Sequence, residues 1–352
     1  VINVIAGILH PQTPYQPYLI STQFRASVNA EEIATIVKDA IANIAIDDAT
    51  KILLFVSDAA ATMLKVGKLL KQAFPNLLHL TCFAHAIHRV CEFVREAFPA
   101  VNELISTCKK ILLKSPSRVS LYRAHCPNIP LPPKPVITRW GTWLQAALFY
   151  AEHFQLIKSF VLTLPDEAVS IKDCKKILMD ANLPQQVQFI STNFEPILPV
   201  IKSLEQQNVP LTSSFEKFEH LFDQLKAVEV PVVKKLEDKL HDIIKRNPDY
   251  TMLRQIAFNS FTDDAVAEKY FHLLDCFALA PVTSCDVERS FSKFKDLLTA
   301  KRHFFTEENL EKFAIIQGFN SAKTRTTKNG SNVGDPSTSG IEPPVSSTSK
   351  DH

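Results

Sequence analysis

The spacing of apolar residues over the first fifty positions predicts two strands followed by a helix. Residues 3–9 (NVIAGIL) and 17–23 (PYLISTQ) are strand-like runs, and the polar, proline-rich stretch between them is typical of a turn. Together they predict a β-hairpin. Asn29 followed by Glu32 matches a helix N-cap and its N3 partner, and an amphipathic stretch continues from there to about Ile46.

The next segment repeats the alternation of strand and helix. Residues 51–60 (KILLFVSDAA) contain a short buried strand that ends in Ser57 and Asp58, and a helical stretch follows to about Phe74. A second short strand, LLHLT, occupies 77–81. A strand, a helix and a strand in succession imply parallel pairing, so we predict an α/β fold.

From Cys82 onward the apolar spacing is helical. Residues 83–126 and 138–163 carry apolar residues three and four positions apart, interrupted by the stiff stretch CPNIPLPPKPV. Residues 165–275 continue as short helical segments without a new strand pattern, and we predict an all-α region there. Prolines divide this region at Pro165, Pro184, Pro196, Pro210, Pro231 and Pro248.

Two further helices are predicted near the C-terminal end. The first starts at Thr283 with Asp286 as its N3 acid, and the second covers 307–317 and stops at Gly318. Residues 319–352 are rich in Ser, Thr, Lys, Gly and Pro without periodicity, so they are predicted to form a disordered tail. The first helix carries one apolar stripe, which consists of Val287, Phe291, Phe294 and Leu298.

Composition and charge limit the classes of protein. Of the 352 residues, 46% are hydrophobic, which is enough for one large core or two modest ones. The seven cysteines contain no CxxC pair, which indicates free thiols in a reducing compartment. No apolar run approaches the roughly eighteen residues of a membrane helix, so we expect a soluble intracellular protein without membrane contact. The net charge of +2 gives no general attraction to DNA, so any DNA contact must come from local patches.

Cys82, His85, His88 and Cys91 stand every three residues in LTCFAHAIHRVCEF and raise the question of a zinc site. On a helix these side chains spread over roughly half of the circumference, which is too wide for one tetrahedral ion. Structural zinc usually takes two ligands from each of two segments, and no second Cys or His pair has a comparable spacing. We therefore expect no zinc, and we expect His88 and Cys91 to be ordinary helix residues.

Asp58 has two interpretations. A carboxylate at the C-terminal end of a buried strand lies where open α/β sheets bind their ligands. The same side chain can instead cap a helix that begins at Ala59. The VGK at 66–68 lacks the flanking glycine and the Ser or Thr of a phosphate-binding loop, so no such loop is predicted.

The stretch TRWGTW predicts a helix that starts at Thr138, with Arg139 and Trp140 in its first turn. Helix N-termini attract phosphate, and an arginine beside an aromatic ring can hold a nucleic-acid backbone and stack on a base. The alternative is that Trp140 is an anchor of the core.

Four motifs occur in the order and style of the hAT superfamily of DNA transposases. They are SDAAATM, TCFAHAIHRV, TRWGTW and TSCDVERSFSKFKDLLTAKRHFFTEENLEKF, and the resemblance extends from residue 1 to about 318. The chain most resembles the domesticated branch that includes CGG triplet repeat-binding-protein-like relatives. The resemblance implies a ribonuclease H-like core, interrupted by a helical insertion domain, in a nuclear DNA-binding protein.

The resemblance also implies how the chain is divided. Residues 1–126 are expected to be the N-terminal part of the ribonuclease H-like core, and 127–275 the helical insertion domain. Residues 276–318 are expected to complete the core and to form the hAT dimerisation region, so the expected state is a homodimer or a larger homo-oligomer. The predicted tail, 319–352, follows.

Individual residues match the family motifs. Asp58 resembles the second acid, and Glu288 in VERSFS the third acid, of a triad that holds two Mg²⁺ ions. Such ions activate a water or a 3′ hydroxyl and stabilise the leaving oxygen. Cys82 and His85 resemble the family's C-x-x-H pair, in which the histidine contacts DNA and does not bind zinc. Asp58, His85 and Glu288 are therefore expected to lie together.

The other matched motif is TRWGTW. Trp140 resembles the tryptophan that stacks on a flipped base beside the cut site, with Arg139 next to it. The chain departs from the family at its N-terminal end, because the strand that carries the first acid, and the zinc-finger domain, are absent from it. Val1 already lies inside a strand-like run and is not Met, so we expect that the chain lacks its natural beginning.

Three functions remain open. We predict a transposon-derived nuclear protein that binds DNA and its own kind without catalysis, because two acids hold two metal ions poorly. The second possibility is a fragment of an active cut-and-paste DNA transposase with Mg²⁺ as its cofactor. The third is a helical protein-interaction module that does not bind DNA.

Overall fold

The computed structural model describes residues 1–113, 115–136, 139, 141–228, 231–297 and 306–330. Helices dominate this part of the chain and the strands are few and short, so the predicted α/β class is confirmed in its coarse form. The strands are β1 (Ile2–Ala6), β2 (Tyr18–Gln23), β3 (Leu54–Ser57) and β4 (Leu78–Thr81). The helices are α1 (Ala30–Asn43), α2 (Ala61–Ala73), α3 (Phe83–Ala97), α4 (Pro99–Leu112), α5 (Pro116–His125), α6 (Thr142–Glu152), α7 (Phe154–Thr163), α8 (Val169–Leu178), α9 (Leu183–Phe194), α10 (Ile197–Leu204), α11 (Leu211–Lys226), α12 (Pro231–Lys245), α13 (Tyr250–Phe258), α14 (Asp264–Phe271), α15 (Leu274–Phe277), α16 (Cys285–Leu297) and α17 (Glu307–Gly330).

The N-terminal elements form as the sequence predicts. β1 and β2 pair in an antiparallel hairpin, with Asn3 opposite Thr22. The Asn29 side chain accepts a hydrogen bond from the Glu32 N–H, and the Asn29 N–H donates to the Glu32 carboxylate, both at 2.9 Å. This reciprocal capping box fixes the start of α1, which ends slightly earlier than predicted, at Asn43.

β3 and β4 pair in parallel on either side of α2 in the chain, as predicted. Ser57 lies opposite Thr81, so the carboxyl ends of both strands meet at one edge of the pair. Asp58 and Cys82 follow these residues directly. The predicted site residues Asp58 and Cys82 therefore both lie at this end of the strand pair.

The outer edge of β4 is covered by the connection between α12 and α13. The Asn247 side chain accepts from the Thr81 N–H at 2.9 Å and donates to the Thr81 carbonyl at 3.2 Å. The Asp249 carboxylate accepts from the His79 N–H at 2.6 Å, and the Asp249 N–H donates to the His79 carbonyl at 3.2 Å. The connection thus bonds backbone groups that an uncovered edge strand leaves unpaired.

β2 is covered in a similar way by α17. The Glu311 carboxylate accepts from the Thr22 N–H at 3.3 Å, while Leu310 and Ala314 pack against Leu19. Each of the four strands pairs with a single other strand in the part of the chain that the structure describes. The strands therefore form two separate pairs, with a different element covering each outer strand.

Apolar packing is divided mainly between two clusters. The first lies between α1 and α2 and includes Ile2 and Val4 of β1 and Phe55 of β3, so the two strand pairs share it. The second is larger, runs from Leu78 to Val282 and takes in helices α3 to α15. These helices pack as one body against β4.

The helix predicted to start at Thr138 begins at Thr142, so that prediction is wrong. Gly141 has φ of 66°, in the left-handed region, which interrupts a continuous helix. The Thr142 hydroxyl accepts from the Val136 N–H at 3.1 Å and lies 3.0 Å from the Arg139 carbonyl. Arg139 consequently lies in a tight loop before the helix and not in its first turn.

α16 begins at Cys285, whereas Asp286 as the N3 residue would require an N-cap at Thr283. Its first N–H groups bond to the Ser284 carbonyl, including that of Val287 at 3.0 Å, so the cap is Ser284 and not Thr283. Within the predicted apolar stripe, Val287 is half-buried. The side chains of Phe294 and Leu298 lie outside the described part of the structure.

α17 continues to Gly330, so the predicted stop at Gly318 is wrong. A Cβ atom on Gly318 would lie 3.3 Å from the Leu19 side chain, so this glycine permits close packing of the helix on β2 and does not end it. The predicted disordered segment, 319–352, therefore begins inside a helix. Residues 331–352 lie outside the described residues.

Candidate functional site

Asp58 is half-buried directly after β3. One of its carboxylate oxygens accepts a hydrogen bond from the Ala60 N–H at 3.0 Å. The N-cap of α2 is Ala60, which has no side-chain cap, so the interpretation of Asp58 as a cap for a helix starting at Ala59 is wrong. The carboxylate instead shapes the turn from β3 into α2 at the carboxyl end of the parallel pair.

A buried histidine, His79, lies behind Asp58. The Ser57 hydroxyl is 2.8 Å from the Asp58 carbonyl and 2.9 Å from Nε2 of His79. The Ser57 hydroxyl therefore links the His79 ring to the backbone carbonyl of Asp58. Burial lowers the pKa of His79 to about 4, although the Asp249 carboxylate opposes this effect, so the ring is neutral at pH 7. His79 was not predicted as a site residue, and a signal for it in the sequence is Gly67 inside the facing helix.

Cys82 joins the start of α3 to the start of α16. Its sulfur accepts a hydrogen bond from the Ser284 N–H at 3.2 Å, and the neighbouring Phe83 N–H donates to the Val282 carbonyl at 3.0 Å. Cys82 also packs against Cys285 in a small buried cluster. Burial raises the pKa of the Cys82 thiol, so it stays protonated at neutral pH. Its contacts are those of a structural residue.

His85 and Glu288 meet across this junction. Nε2 of His85 is 4.0 Å from a Glu288 carboxylate oxygen, and Nδ1 is 3.4 Å from the Ser284 hydroxyl. Burial lowers the pKa of His85, the Asp58 carboxylate raises it, and His88 lowers it further. Asp58 thus lies within electrostatic range of His85. We call Asp58, His85 and Glu288 the acid site.

The acid site offers few ligands for a metal ion. Mg²⁺ prefers six oxygen ligands, and a two-ion site needs carboxylates that bridge or flank both ions. Asp58 and Glu288 are the two carboxylates here, and one oxygen of Asp58 already accepts the Ala60 N–H. Across the described residues, no group of three or more His, Cys, Asp or Glu side chains is placed to hold a metal. This donor set does not fit a two-ion magnesium site, and we derive no step through one.

The four Cys and His side chains of α3 diverge. Cys82 belongs to the small cluster beside α16, whereas Cys91 lies in the large core, where burial raises its pKa to about 12. His85 belongs to the acid site, and His88 lies one turn further along the helix. The structure therefore does not gather the four side chains around one point. That the chain binds no zinc stays a prediction.

A groove of about 190 Å³ lies one turn of α3 beyond the acid site, between α3, α4 and the loop before α6. His88 lines it, and its buried Nδ1 has no hydrogen-bond partner in the described part of the chain. Arg95, Lys109 and Arg139 also line the groove, and Glu92, the one acidic residue among its described lining residues, pairs with Arg95. The positive charge in excess suits an anionic ligand.

Of the two tryptophans of TRWGTW, the structure describes Trp143 and not Trp140. Trp140 lies outside the described residues, so its predicted stacking on a base stays a prediction. Trp143, in the first turn of α6, is buried and donates its indole N–H to the Asn102 side chain at 3.0 Å. Trp143 is therefore an anchor of the core, and the same alternative for Trp140 lies outside the described residues.

The sequence matches no protein-family model, and no match was found among curated proteins. No helix in the described part of the chain has both the length and the apolar character needed to cross a membrane.

Proposed function

We propose that this chain is a hAT transposase-derived nuclear protein that binds DNA and associates with itself, without cutting activity. The observation that carries the proposal is the approach of His85 to Glu288, at 4.0 Å, beside the carboxyl end of the strand pair that Asp58 follows. Asp58 and Glu288 are 230 positions apart in the sequence. The motif resemblance names these three side chains as one site, and a chance similarity of short motifs gives no reason for them to be neighbours.

The strand arrangement supports a ribonuclease H-like core as part of this proposal. In the family that the chain resembles, the first strand is central in the sheet. β1 and β3 each pair with one strand among the described residues, and the two pairs share an apolar cluster with α1 and α2. Two strand pairs that share one apolar cluster with α1 and α2 are compatible with a ribonuclease H-like core.

The charges around the acid site support DNA as the partner. The groove next to it has an excess of cations, of which Arg139 is exposed. Because burial lowers the pKa of His85, its ring is neutral at pH 7. We therefore expect His85 to contact DNA by a hydrogen bond and not by an ion pair. The proposed absence of cutting activity is supported by the two carboxylates, Asp58 and Glu288, that the described residues place at the acid site.

The test uses the repulsion between carboxylates and phosphates. If DNA passes over the acid site, the double variant Asp58→Asn and Glu288→Gln should bind a short labelled duplex about fivefold to tenfold more tightly in EDTA at about 0.1 M salt. The control variant, Asp39→Asn with Glu237→Gln, makes the same charge change on exposed faces of α1 and α12. Fluorescence anisotropy measures both.

Two results would contradict the proposal. Equal tightening in both variants would mean that only net charge matters and that DNA does not approach the acid site. A chain that fails to bind duplex DNA even at low salt would favour the helical protein-interaction module instead.

A further inference from the structure

The charge of the chain is distributed unevenly. The whole chain has a net charge of +2, yet residues 104–151 contain seven Lys and Arg and no Asp or Glu. This segment carries +7, so the rest of the chain carries −5, the difference between the two values. In a nearly neutral protein, such a segment is a local anion-attracting patch. The seven residues are Lys109, Lys110, Lys114, Arg118, Arg123, Lys134 and Arg139.

The structure gathers this segment into one region, made of the end of α4, α5, the proline-rich stretch and the loop before α6. The Arg118 guanidinium donates to a carbonyl near the end of α4 at 3.2 Å, which ties α5 to α4. The Lys109 ammonium is 3.4 Å from the Pro135 carbonyl, and the Tyr122 hydroxyl donates to the Pro130 carbonyl at 2.9 Å. The parts of this basic segment therefore also lie next to one another in the structure.

The cations of this region are not neutralised. Lys110, Arg123, Lys134 and Arg139 are exposed. Within the described part of the chain, none of the Lys and Arg of the segment forms an ion pair with an acidic side chain. Lys114 lies outside the described residues. Unpaired, exposed cations are the ones that exchange small counterions for a polyanion.

The cation of the proline-rich stretch, Lys134, has a backbone with little conformational freedom. Lys134 lies between Pro133 and Pro135, and proline fixes the backbone φ angle in its own residue and restricts the residue before it. The Pro135 carbonyl is also held by Lys109. Less conformational entropy is therefore lost when a ligand binds here than in a flexible loop.

We propose that this basic surface, defined by Lys109, Lys110, Arg118, Arg123, Lys134 and Arg139, binds the phosphate backbone of duplex DNA. The inference rests on the proposed function and adds the path of the duplex beyond the acid site. Lys109 and Arg139 belong both to the basic surface and to the groove, so the two are continuous. A duplex with one phosphate near the acid site can therefore extend over the groove and onto α5.

The experiment measures the salt dependence of DNA binding. The triple variant Lys110→Gln, Arg123→Gln and Lys134→Gln removes exposed cations, and the control Lys38→Gln, Lys68→Gln and Lys245→Gln removes exposed cations on α1, α2 and α12. Each lost phosphate contact lowers the slope of log K against log salt by about 0.9, so we expect a decrease of about 2 to 3 in the basic-surface variant. Its affinity should fall about tenfold or more at about 0.15 M salt, and the control should keep the wild-type slope.

Several outcomes would overturn the proposal. An unchanged slope in a basic-surface variant that melts normally would do so, as would an equal loss in both variants. Vesicles rich in phosphatidylserine provide the comparison with a membrane surface: if the triple variant loses vesicle binding and keeps DNA binding, the surface binds lipid. The acid-site variant separates the two proposals. If DNA binding changes in the acid-site variant and not in the triple variant, the proposed function stands and the basic surface is not a DNA-binding site. If DNA binding changes only in the triple variant, DNA does not pass over the acid site.

Discussion

A Cβ atom on Gly67 would lie 2.1 Å from Nδ1 of His79, so α2 and β4 approach each other at a distance that only glycine allows. The ring is 1% exposed and is held at 2.9 Å by Ser57, so it cannot move aside. Glycine inside a helix normally costs about 0.5 to 1 kcal/mol relative to alanine. At Gly67 this cost is offset, because the missing side chain leaves space for the His79 ring. The ring contacts the Ser57 hydroxyl, which in turn bonds to the Asp58 carbonyl.

We expect Gly67→Ala to lower the free energy of unfolding by about 1 to 3 kcal/mol, although alanine has the higher helix propensity, because the added methyl group overpacks against His79. Urea denaturation measures the change. In a His79→Ala background the same substitution should be neutral or stabilising, because the obstruction is gone. The same loss in both backgrounds would show that His79 is not the cause.

Stability should depend on pH through His79. The folded pKa is about 4 and the ordinary value is 6.5, so between these values the unfolded chain binds a proton that the folded chain does not. This contribution to stability is complete above pH 6.5 and is lost as the pH falls toward 4, by about 3 kcal/mol in all. Burial lowers the pKa of His85 and His88 as well, which acts in the same direction.

The free energy of unfolding, measured at several pH values, checks this. His79→Asn should flatten the decrease between pH 6.5 and 4, whereas His220→Asn, at an exposed position of α11, should leave it unchanged. An equal slope in wild type and His79→Asn would contradict the assignment.

Asn247→Ala should destabilise the protein by about 2 to 3 kcal/mol, because it leaves the buried N–H and carbonyl of Thr81 without partners. Amide hydrogen exchange at Thr81 should accelerate as well. Asn128→Ala is the matched control, since Asn128 is exposed. If exchange at Thr81 stays as slow in Asn247→Ala as in wild type, the edge is covered by something else.

The elements that the sequence predicted correctly are those whose signals are local. The Asn29 capping box follows from spacing within a few residues, and the parallel pair of β3 and β4 follows from a strand, a helix and a strand in direct succession. The start of α6 could not be predicted in that way, because it depends on the left-handed conformation of Gly141 and on hydrogen bonds of the Thr142 hydroxyl to the preceding loop. The covering of β4 depends on Asn247, and no sequence pattern near Thr81 predicts this contact.

The candidate site shows the same limit. Periodicity located Asp58 at a strand end, and only the motif resemblance connected it with Glu288. His79 was missed because its importance comes from contacts with Ser57 and Gly67, which folding brings together. The basic surface near α5 was missed because the net charge of the whole chain hides it.

We expect the chain to self-associate through α17. Leu310 and Ala314 pack against β2, while 59% of Ile316 is exposed on the same helix. Ile316→Glu should shift the protein toward monomer in sedimentation experiments at tens of micromolar, because burying a charge in an apolar interface is unfavourable. Met179→Glu changes another exposed apolar residue and should leave the association unchanged. A wild-type chain that is monomeric under these conditions would contradict the prediction.

This chain should not nick DNA. Among the described residues the acid site has two carboxylates, and we predict that labelled duplex incubated with the protein and Mn²⁺ remains intact. Wild type and Asp58→Asn should give the same result. Cleavage by wild type that disappears in Asp58→Asn would show that the acid site is catalytic.

The covering of β4 by Asn247 has a consequence for biosynthesis. Thr81 and Asn247 are 166 residues apart, so at about 5 to 20 residues per second the ribosome needs roughly ten to thirty seconds to add the residue that covers this strand. During that interval the growing polypeptide exposes an edge that can pair with strands of neighbouring nascent chains on the same messenger RNA. The N-terminal elements therefore acquire their final protection late in translation, after most of the helical body has been made.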